Sequence, residues 1–180
     1  MALIKTVRNK TPQFGKNVYL SENATIIGDV KTGDDCSIWF NAVIRGDVNS
    51  IEIGNKVNIQ DGAVLHCTYQ KSPTVLEDNV SVGHNTLIHG CHIKSNVLVG
   101  MGAIVMDDVV IESNVIIAAG AVVLQGTHIP SGTVWAGVPA KKVKDLSEAL
   151  LQGEIERIAN NYLFYSDWYK EEKQISGLSS

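Results

Sequence analysis

The residues of this chain whose types and spacing best suit chemistry lie in one stretch, between His66 and His89. Three of the five histidines, His66, His84 and His89, fall inside it. Imidazole is the commonest metal ligand in proteins and the side chain most often used for proton transfer near neutral pH. The three side chains can act together only if the fold brings them to one place, so the elements that carry them come next.

An aliphatic side chain recurs at every sixth residue through most of the chain, with a small side chain four positions later. The first regular run is Leu20, Ile26, Thr32, Ile38 and Ile44, and the pattern resumes from Val99 to Trp135. A period of six is typical of a parallel β-helix, in which three hexads form each triangular coil. A β-sandwich would instead need alternating strands with turns roughly every 8–12 residues. The repeat therefore predicts an all-β solenoid of just under seven coils.

The repeat also divides the chain. We predict an N-terminal segment over residues 1–13, the β-helix over 14–140, a C-terminal α-helix over 141–173 and a tail over 174–180. Asp145 and Glu148 have the spacing of a capping box, with Asp145 as the N-cap. Apolar side chains then recur at helical spacing: Leu151, Ile155, Ile158, Tyr162, Tyr165 and Tyr169. We expect this amphipathic helix to pack along the solenoid of its own subunit or of a neighbour, with Gly153 as its weak point.

Composition and charge narrow the classes of function. A net charge of −4 gives no electrostatic attraction to nucleic acid or to an anionic membrane surface. The three cysteines are an odd and sparse set, so a reducing compartment fits better than a disulfide framework. No stretch approaches the roughly 20 apolar residues of a membrane span, and the first residues lack a signal-peptide core. We expect a cytoplasmic protein with no nucleic-acid or membrane partner.

Counting hexads around the triangle assigns each histidine to a face. Three aliphatic positions share one face in consecutive coils: Ile44, Leu65 and Ile88. The residues that follow them, Arg45, His66 and His89, then form one column on strands about 4.8 Å apart. His84 belongs to another face, so a rotated copy of the subunit must supply it. The count predicts a cyclic trimer with His66 and His89 from one chain and His84 from the next.

Three histidines with an open fourth position describe a catalytic zinc site rather than a structural one. The hexad step that contains His89 is shortened to five residues, which indicates a local reason for the change. Outward-facing corners tolerate a lone histidine, so we interpret His92 and His128 as surface residues. The cysteines are expected at core or turn positions, with Cys67 as the only one that could act as a soft ligand.

A set of short motifs resembles the gamma-class carbonic anhydrases and their close relatives. The resemblance covers nearly the whole chain, and it is more specific than the hexapeptide repeat, which many acyltransferases share. It rests on these motifs: Arg45-Gly46-Asp47, Asn58-Ile59-Gln60-Asp61, His66, Gly83-His84-Asn85, His89-Gly90-Cys91, Gly100-Met101-Gly102-Ala103 and Gly137-Val138-Pro139-Ala140. The resemblance implies a left-handed parallel β-helix, a homotrimer and an active site at each subunit interface.

The resemblance also implies a role for each matched residue. The metal ligands would be His66, His84 and His89, holding Zn²⁺, or else Fe²⁺ or Co²⁺. Arg45 and Asp47 would form an interfacial ion pair that lines the site and supports bicarbonate. Gln60 would hydrogen-bond a zinc-bound hydroxide, with Asp61 beside it in the interface network. The implied reaction is the reversible hydration of CO₂ to bicarbonate by that hydroxide.

One part of the sequence departs from the best-characterised members of that family. Those proteins carry glutamates in the loop after the first ligand and directly after the Arg-x-Asp motif. Here the loop from Cys67 to Val75 contains no acid, and Val48 follows Asp47. A fast cycle needs a group that passes protons to solvent. We therefore expect a complete metal site with low or conditional activity.

Two other functions remain open at this point. A hexapeptide acyltransferase that uses acyl-CoA would share the repeat and the Gly137-Val138-Pro139-Ala140 terminus, but acyl transfer needs one catalytic base rather than a stacked pair of histidines. A non-catalytic assembly subunit would keep the metal site only to join chains. Chelators and replacement of His84 distinguish these alternatives from an anhydrase.

Overall fold

The computed structural model describes residues 1–171 of the chain. Short strands alternate with tight corners as far as Asp145, and helical segments follow. The strands are β1 (Leu3–Lys5), β2 (Tyr19–Leu20), β3 (Thr25–Thr32), β4 (Ser37–Ile38), β5 (Val43–Ile53), β6 (Asn58–Ile59), β7 (Val64–His66), β8 (Thr74–Leu76), β9 (Val80–Val82), β10 (Leu87–His89), β11 (His92–Ile93), β12 (Val97–Val99), β13 (Ile104–Val105), β14 (Val110–Ile111), β15 (Val115–Ile117), β16 (Val122–Val123), β17 (His128–Ile129), β18 (Thr133–Ala136) and β19 (Lys141–Asp145). The chain winds through about seven coils, and a single C-terminal helix follows.

Two sheets form the walls of this solenoid. The eleven-stranded sheet covers two faces, because the long strand β5 pairs with β7 on one face and with β8 on the next. The eight-stranded sheet covers the third face, and all pairings inside the coils are parallel. The predicted parallel β-helix of hexapeptide repeats is confirmed.

The inward positions stack in the columns that the hexad count predicts. One column runs through Ile44, Leu65, Ile88, Val105 and Val123 in consecutive coils. Each of these side chains is at most 1% exposed. Because side chains alternate between the two sides of a strand, burying this column points the residues on either side of it outward.

The two ends of the solenoid differ from the predicted boundaries. Residues Leu3–Lys5, assigned to a separate N-terminal segment, extend the sheet by pairing in parallel with β3. Residues 141–145, assigned to the C-terminal helix, form β19, which pairs antiparallel with β18. Pairing with β18 satisfies backbone groups that a helix would otherwise have to satisfy. Exposed lysines on this edge strand disfavour end-to-end association of solenoids.

The helix begins later than predicted. Ser147, not Asp145, is the N-cap, and its Oγ accepts a hydrogen bond from the Leu150 amide. Asp145 instead ends β19 and pairs with Lys142 at 2.7 Å. The helical segments are α1 (Glu148–Leu150), a π-helical turn (Leu151–Glu156) that contains Gly153, and α2 (Arg157–Glu171). The last two residues of the predicted helix and the predicted tail, 172–180, lie outside the described residues.

The helix packs against its own solenoid, as one of the two expected arrangements. Its apolar face buries Ile155 completely. The rings of Tyr162 and Tyr169 then contact Trp39 on the solenoid, with centroids 5.2 and 5.4 Å away. Edge-to-face aromatic pairs of this kind stabilise the contact beyond their burial. Among residues 1–171, no helix is both long enough and apolar enough to cross a membrane.

Candidate metal centre

His66 and His89 stand next to each other on adjacent strands of one face. His66 ends β7 and His89 ends β10, and the two residues are register partners. Leu65 and Ile88, one position earlier, are fully buried, so strand alternation turns both imidazoles outward. His66 Nδ1 lies 3.1 Å from His89 Nε2. The predicted stacking of these two residues is confirmed.

Each of the two rings contacts a carboxylate through its other nitrogen. His66 Nε2 lies 3.1 Å from Asp47 Oδ1, and His89 Nδ1 lies 2.9 Å from Asp107 Oδ1. An ionised carboxylate only accepts hydrogen bonds, so each ring places its N–H on the carboxylate side. The two nitrogens that face each other, His66 Nδ1 and His89 Nε2, then carry no hydrogen, and each presents a lone pair to the other. Such a pair at 3.1 Å is repulsive unless a proton or a cation lies between them.

Burial and neighbouring charges favour the protonation states in which His66 can bind a metal and Asp47 can support it. Burial lowers the pKa of His66, outweighing the opposing hydrogen bond to Asp47, and Arg45 adds to the lowering. Burial by itself would raise the pKa of Asp47, but hydrogen bonds from Arg45 and His66 hold it below its usual value. Arg45 Nη1 donates to Asp47 Oδ2 at 2.7 Å. The neutral imidazole and the ionised carboxylate are therefore the favoured forms.

His84 lies on a different face, as the count predicts. It follows β9, which belongs to the eight-stranded sheet, whereas β7 and β10 belong to the eleven-stranded sheet. His84 Nδ1 lies 2.9 Å from Asp61 Oδ2, and the Tyr162 hydroxyl lies 3.3 Å from His84 Nε2. Burial and then the charge of Asp61 raise the pKa of Tyr162 to about 12, so the phenol keeps its proton. The side chains of His84 and Asp61 are 39% and 41% exposed, which leaves them open to a second chain.

Gln60 is held beside this second group. It is 5% exposed, and its Nε2 donates to Asn58 Oδ1 at 3.0 Å. Asn58 in turn donates to Ser81 Oγ of the next coil at 2.7 Å. The chain that precedes Asp61 is therefore fixed by a buried polar ladder, which limits the positions that Asp61 and Gln60 can take.

The predicted site residues thus fall into two groups within one chain. Arg45, Asp47, His66 and His89 form the first group, and Gln60, Asp61 and His84 form the second. Within residues 1–171 of one chain, no three histidine, cysteine or carboxylate side chains are placed to hold an ion by themselves.

The remaining histidines and Cys67 differ from these groups. His92 and His128 also contact carboxylates, Glu77 and Glu112, from strands β11 and β17, and their side chains are 40% and 64% exposed. Cys67 is buried, its thiol donates to the Ser50 carbonyl at 3.3 Å, and burial raises its pKa. A buried thiol in this position points into the core and is not oriented as a ligand of the histidine pair.

Three residues that contact the site were not predicted as site residues from the sequence. Asp107 contacts His89, Thr68 contacts Asp107, and Tyr162 contacts His84. The hexad count could have identified Asp107, because it lies in the coil after His89, one position beyond the column of outward residues that contains His66 and His89. Thr68 and Tyr162 reach the site from an extruded loop and from the helix, and a hexad count does not place either element.

Gly90 makes room for Asp107 directly after His89. It has φ +52°, and a Cβ there would overlap Asp107 Oδ1 and lie 2.8 Å from Ser72 Cβ. Gly126 has φ +70° with nothing within 4 Å of a Cβ, so alanine there meets only the backbone strain.

We expect Gly90→Ala to cost about 1–2 kcal/mol for the left-handed backbone and about 1.5–3 kcal/mol more for displaced charged hydrogen bonds. Gly126→Ala should cost only the first amount. Urea denaturation of both variants measures this difference in the free energy of unfolding. Equal losses of stability in the two variants would contradict the importance of the space beside Gly90.

Comparison with known proteins agrees with the hexapeptide repeat. A family model described as "Bacterial transferase hexapeptide (six repeats)" matches residues 90–125. A carbonic anhydrase of Geobacillus kaustophilus is 44% identical over 172 residues, covering 96% of this chain and 93% of the relative. The mitochondrial gamma carbonic anhydrase 2 of Arabidopsis thaliana is 40% identical over 165 residues. That match covers 89% of this chain but only 59% of the plant protein.

Solved structures share the fold. A hexapeptide transferase family protein from Anaplasma phagocytophilum has a TM-score of 0.88 at 37% identity, covering 93% of this chain and 98% of that chain. An N-acyltransferase of Bacillus cereus, AntD, reaches a TM-score of 0.54 at 17% identity, which shows only a shared fold. On the sequence identity and coverage of its relatives, this chain belongs to the gamma-class carbonic anhydrase family of hexapeptide-repeat proteins.

Proposed function

We propose that this protein is a metal-dependent gamma-class carbonic anhydrase that hydrates CO₂ reversibly to bicarbonate at the subunit interfaces of a homotrimer. The observation that carries the proposal is the pair of facing nitrogens, His66 Nδ1 and His89 Nε2, 3.1 Å apart. A protein that kept these rings only for packing would have no reason to place two lone pairs against each other. The membership of the family supports the same reaction.

The histidine pair fits a tetrahedral ion. Two imidazole nitrogens at the usual Zn–N distance of about 2.0–2.1 Å stand about 3.4 Å apart across a tetrahedral centre, close to the observed separation of 3.1 Å. The outer nitrogens rest on Asp47 and Asp107, the arrangement that orients ligand histidines in metal sites. Zn²⁺ is our proposed metal, with Fe²⁺ or Co²⁺ as alternatives, since imidazole ligands suit all three.

The third ligand is proposed to come from a neighbouring subunit. His84 lies on another face, with its side chain partly exposed beside Asp61. A threefold arrangement of parallel solenoids would bring the His84 corner of one chain against the His66 and His89 face of the next at each interface. The proposed set of three histidine ligands therefore requires the proposed trimer.

The chain's own residues have separate tasks in this site. His66 and His89, with His84 of the neighbouring chain, would hold Zn²⁺, which would supply a Lewis acid that lowers the pKa of water to about 7. Asp47 orients His66 and is itself held by Arg45. The Arg45 side chain is 41% exposed, so its guanidinium can attract and orient the bicarbonate anion. We assign Gln60 and Asp61 to hydrogen bonding at the opposite wall, where Asp61 also orients His84.

A second candidate is a non-catalytic assembly subunit with a metal at each interface. It is favoured by the loop from Cys67 to Val75, which offers no carboxylate for proton transfer. An acyltransferase is less favoured, because the N-acyltransferase AntD shares only the fold with this chain. The cytoplasmic location stays a prediction.

Metal analysis and stopped-flow CO₂ hydration test the proposal together. We expect about one divalent ion per chain in the wild type and in His92→Ala, a control that removes an exposed histidine paired with Glu77. His66→Ala should lose the metal and the activity. Wild-type protein that binds none of Zn²⁺, Fe²⁺ or Co²⁺ would refute the proposed site, and metal binding without hydration would support the assembly subunit.

A further inference from the structure

The loop from Cys67 to Val75, which contains no carboxylate, is connected to the proposed metal centre through the hydroxyl of Thr68. Thr68 Oγ1 donates a hydrogen bond to Asp107 Oδ1 at 2.9 Å. The same oxygen, Asp107 Oδ1, lies 2.9 Å from His89 Nδ1. One carboxylate oxygen therefore connects the extruded loop to a proposed metal ligand.

The next carboxylate in the chain, that of Asp108, contacts a later part of the same loop. Asp108 Oδ1 accepts from Ser72 Oγ at 2.6 Å, and Asp108 Oδ2 pairs with Lys71 Nζ at 3.2 Å. Gln125 Nε2 also donates to Asp108, at 3.1 Å. Asp107 and Asp108 thus make similar contacts to the loop, but in the described contacts only Asp107 reaches a histidine.

We propose that Thr68 and Asp107 are positioning residues that hold His89 as the Nδ1–H tautomer, with Nε2 free to bind the metal. The acceptor oxygen of Asp107 fixes which ring nitrogen carries the hydrogen, and the Thr68 hydroxyl fixes that oxygen. Both residues are part-buried at these contacts, which shields the hydrogen bonds from competing water. This inference rests on the proposed metal site, which it extends to a second layer of residues.

The proposal also gives the loop a function without an acid. In this chain the loop orients a ligand, whereas proton transfer is left to other groups. Carboxylates that hold ligand histidines typically change metal affinity by about 10–100-fold when they are replaced. Thr68 does not contact His89 and acts only through Asp107, so its replacement should have a smaller effect.

Two matched pairs of variants test this assignment. Asp107→Asn and Thr68→Val disturb the contacts that lead to His89, whereas Asp108→Asn and Ser72→Ala disturb the parallel contacts of the same loop. Asparagine is suitable at Asp108, whose φ is +60°. Thr68→Ser keeps the hydroxyl and serves as the conservative rescue of Thr68→Val.

The first measurement is the affinity of the trimer for Zn²⁺, by competition with a chelating dye. We expect the Kd to rise about 10–100-fold for Asp107→Asn and several-fold for Thr68→Val, and to change less than about twofold for Ser72→Ala, Asp108→Asn and Thr68→Ser. Equal weakening by Asp107→Asn and Asp108→Asn would show a role in loop stability only. Unchanged affinity in Asp107→Asn would overturn the proposal outright.

The second measurement needs no metal. Long-range ¹⁵N NMR of histidine-labelled apoprotein reports which ring nitrogen carries hydrogen. We expect His89 to be the Nδ1–H tautomer in the wild type and Ser72→Ala, with mixed tautomers in Asp107→Asn. A wild-type protein that shows this tautomer but binds no Zn²⁺ would retain the positioning pair and refute the metal function. An Nε2–H tautomer in the wild type would refute the positioning pair.

Discussion

Co-expression of His66→Ala chains with His84→Ala chains is expected to restore metal binding and CO₂ hydration that each variant lacks by itself. In the proposed trimer, one site uses His66 and His89 of one chain and His84 of the next. A His84→Ala chain still offers an intact His66 and His89 face, and a His66→Ala chain still offers His84. With random assembly of the two chains, about one quarter of the interfaces contain all three ligands.

Each single variant should lose at least about 100-fold in activity, since loss of a ligand exceeds the usual effect of losing its supporting carboxylate. The matched control is co-expression of His66→Ala with His89→Ala. Both of these changes affect the same face, because the two residues are partners on adjacent strands. That mixture should stay inactive, with no bound metal above the level of either variant.

Metal content and hydration rate, measured on purified mixed trimers, decide the result. Restoration in the His66→Ala and His84→Ala mixture but not in the control would establish a site shared between chains. Failure of both mixtures, with trimers shown to be mixed by differential tags, would contradict the shared site. Each chain in the mixture lacks one of the three ligands, so restoration inside a single chain is impossible.

The second large effect concerns proton transfer. We expect the wild-type kcat for CO₂ hydration to rise at least about tenfold when an imidazole-type buffer is added, because a positioned proton carrier contributes roughly 10²–10⁴-fold. The value of kcat/KM should hardly change, since the buffer acts after CO₂ has reacted. The physical reason is the loop from Cys67 to Val75, which contains no carboxylate.

A carboxylate introduced into this loop should replace part of the buffer. Tyr69 is 55% exposed, and the Arg8 guanidinium lies 5.7 Å from its ring centroid. Tyr69→Glu is expected to raise kcat at low buffer concentration and to weaken the buffer dependence. Tyr69→Gln, which has the same length but cannot carry the proton, is the control and should behave as the wild type.

Stopped-flow assays across a range of buffer concentrations measure both effects. A wild-type kcat that is already high without buffer would show that another residue of the protein carries the proton. A low kcat that buffer does not raise would place the limitation in an earlier step or favour the assembly subunit.

The sequence by itself determined the solenoid and the pairing of two histidines. The period of six is a property of the covalent order, and each hexad must turn its aliphatic residue inward to bury it. Once Ile44, Leu65 and Ile88 are placed in one column, the outward position of His66 and His89 follows from strand alternation. The same count also placed His84 on a different face before any contact was known.

The ends of the fold were not determined in this way. Asp145 and Glu148 have capping-box spacing, yet the backbone up to Asp145 pairs with β18, and Ser147 caps the helix instead. Local spacing reports a preference of about 1 kcal/mol for a cap. Strand pairing across several residues outweighs it, and that pairing depends on where the last coil ends in space.

Only the tertiary structure decided which groups support the histidines. The hexad count places Asp107 in the coil after His89 but does not give its contact with that ring. Thr68 and Tyr162 come from an extruded loop and from the helix, so their distances along the chain carry no information about their contacts. A hydrogen bond needs two atoms within about 3 Å, whereas the repeat places a residue only to within a face and a coil. The sequence thus specifies the face on which the ligands stand, and the packing of loop and helix specifies their tautomers, neighbours and exposure.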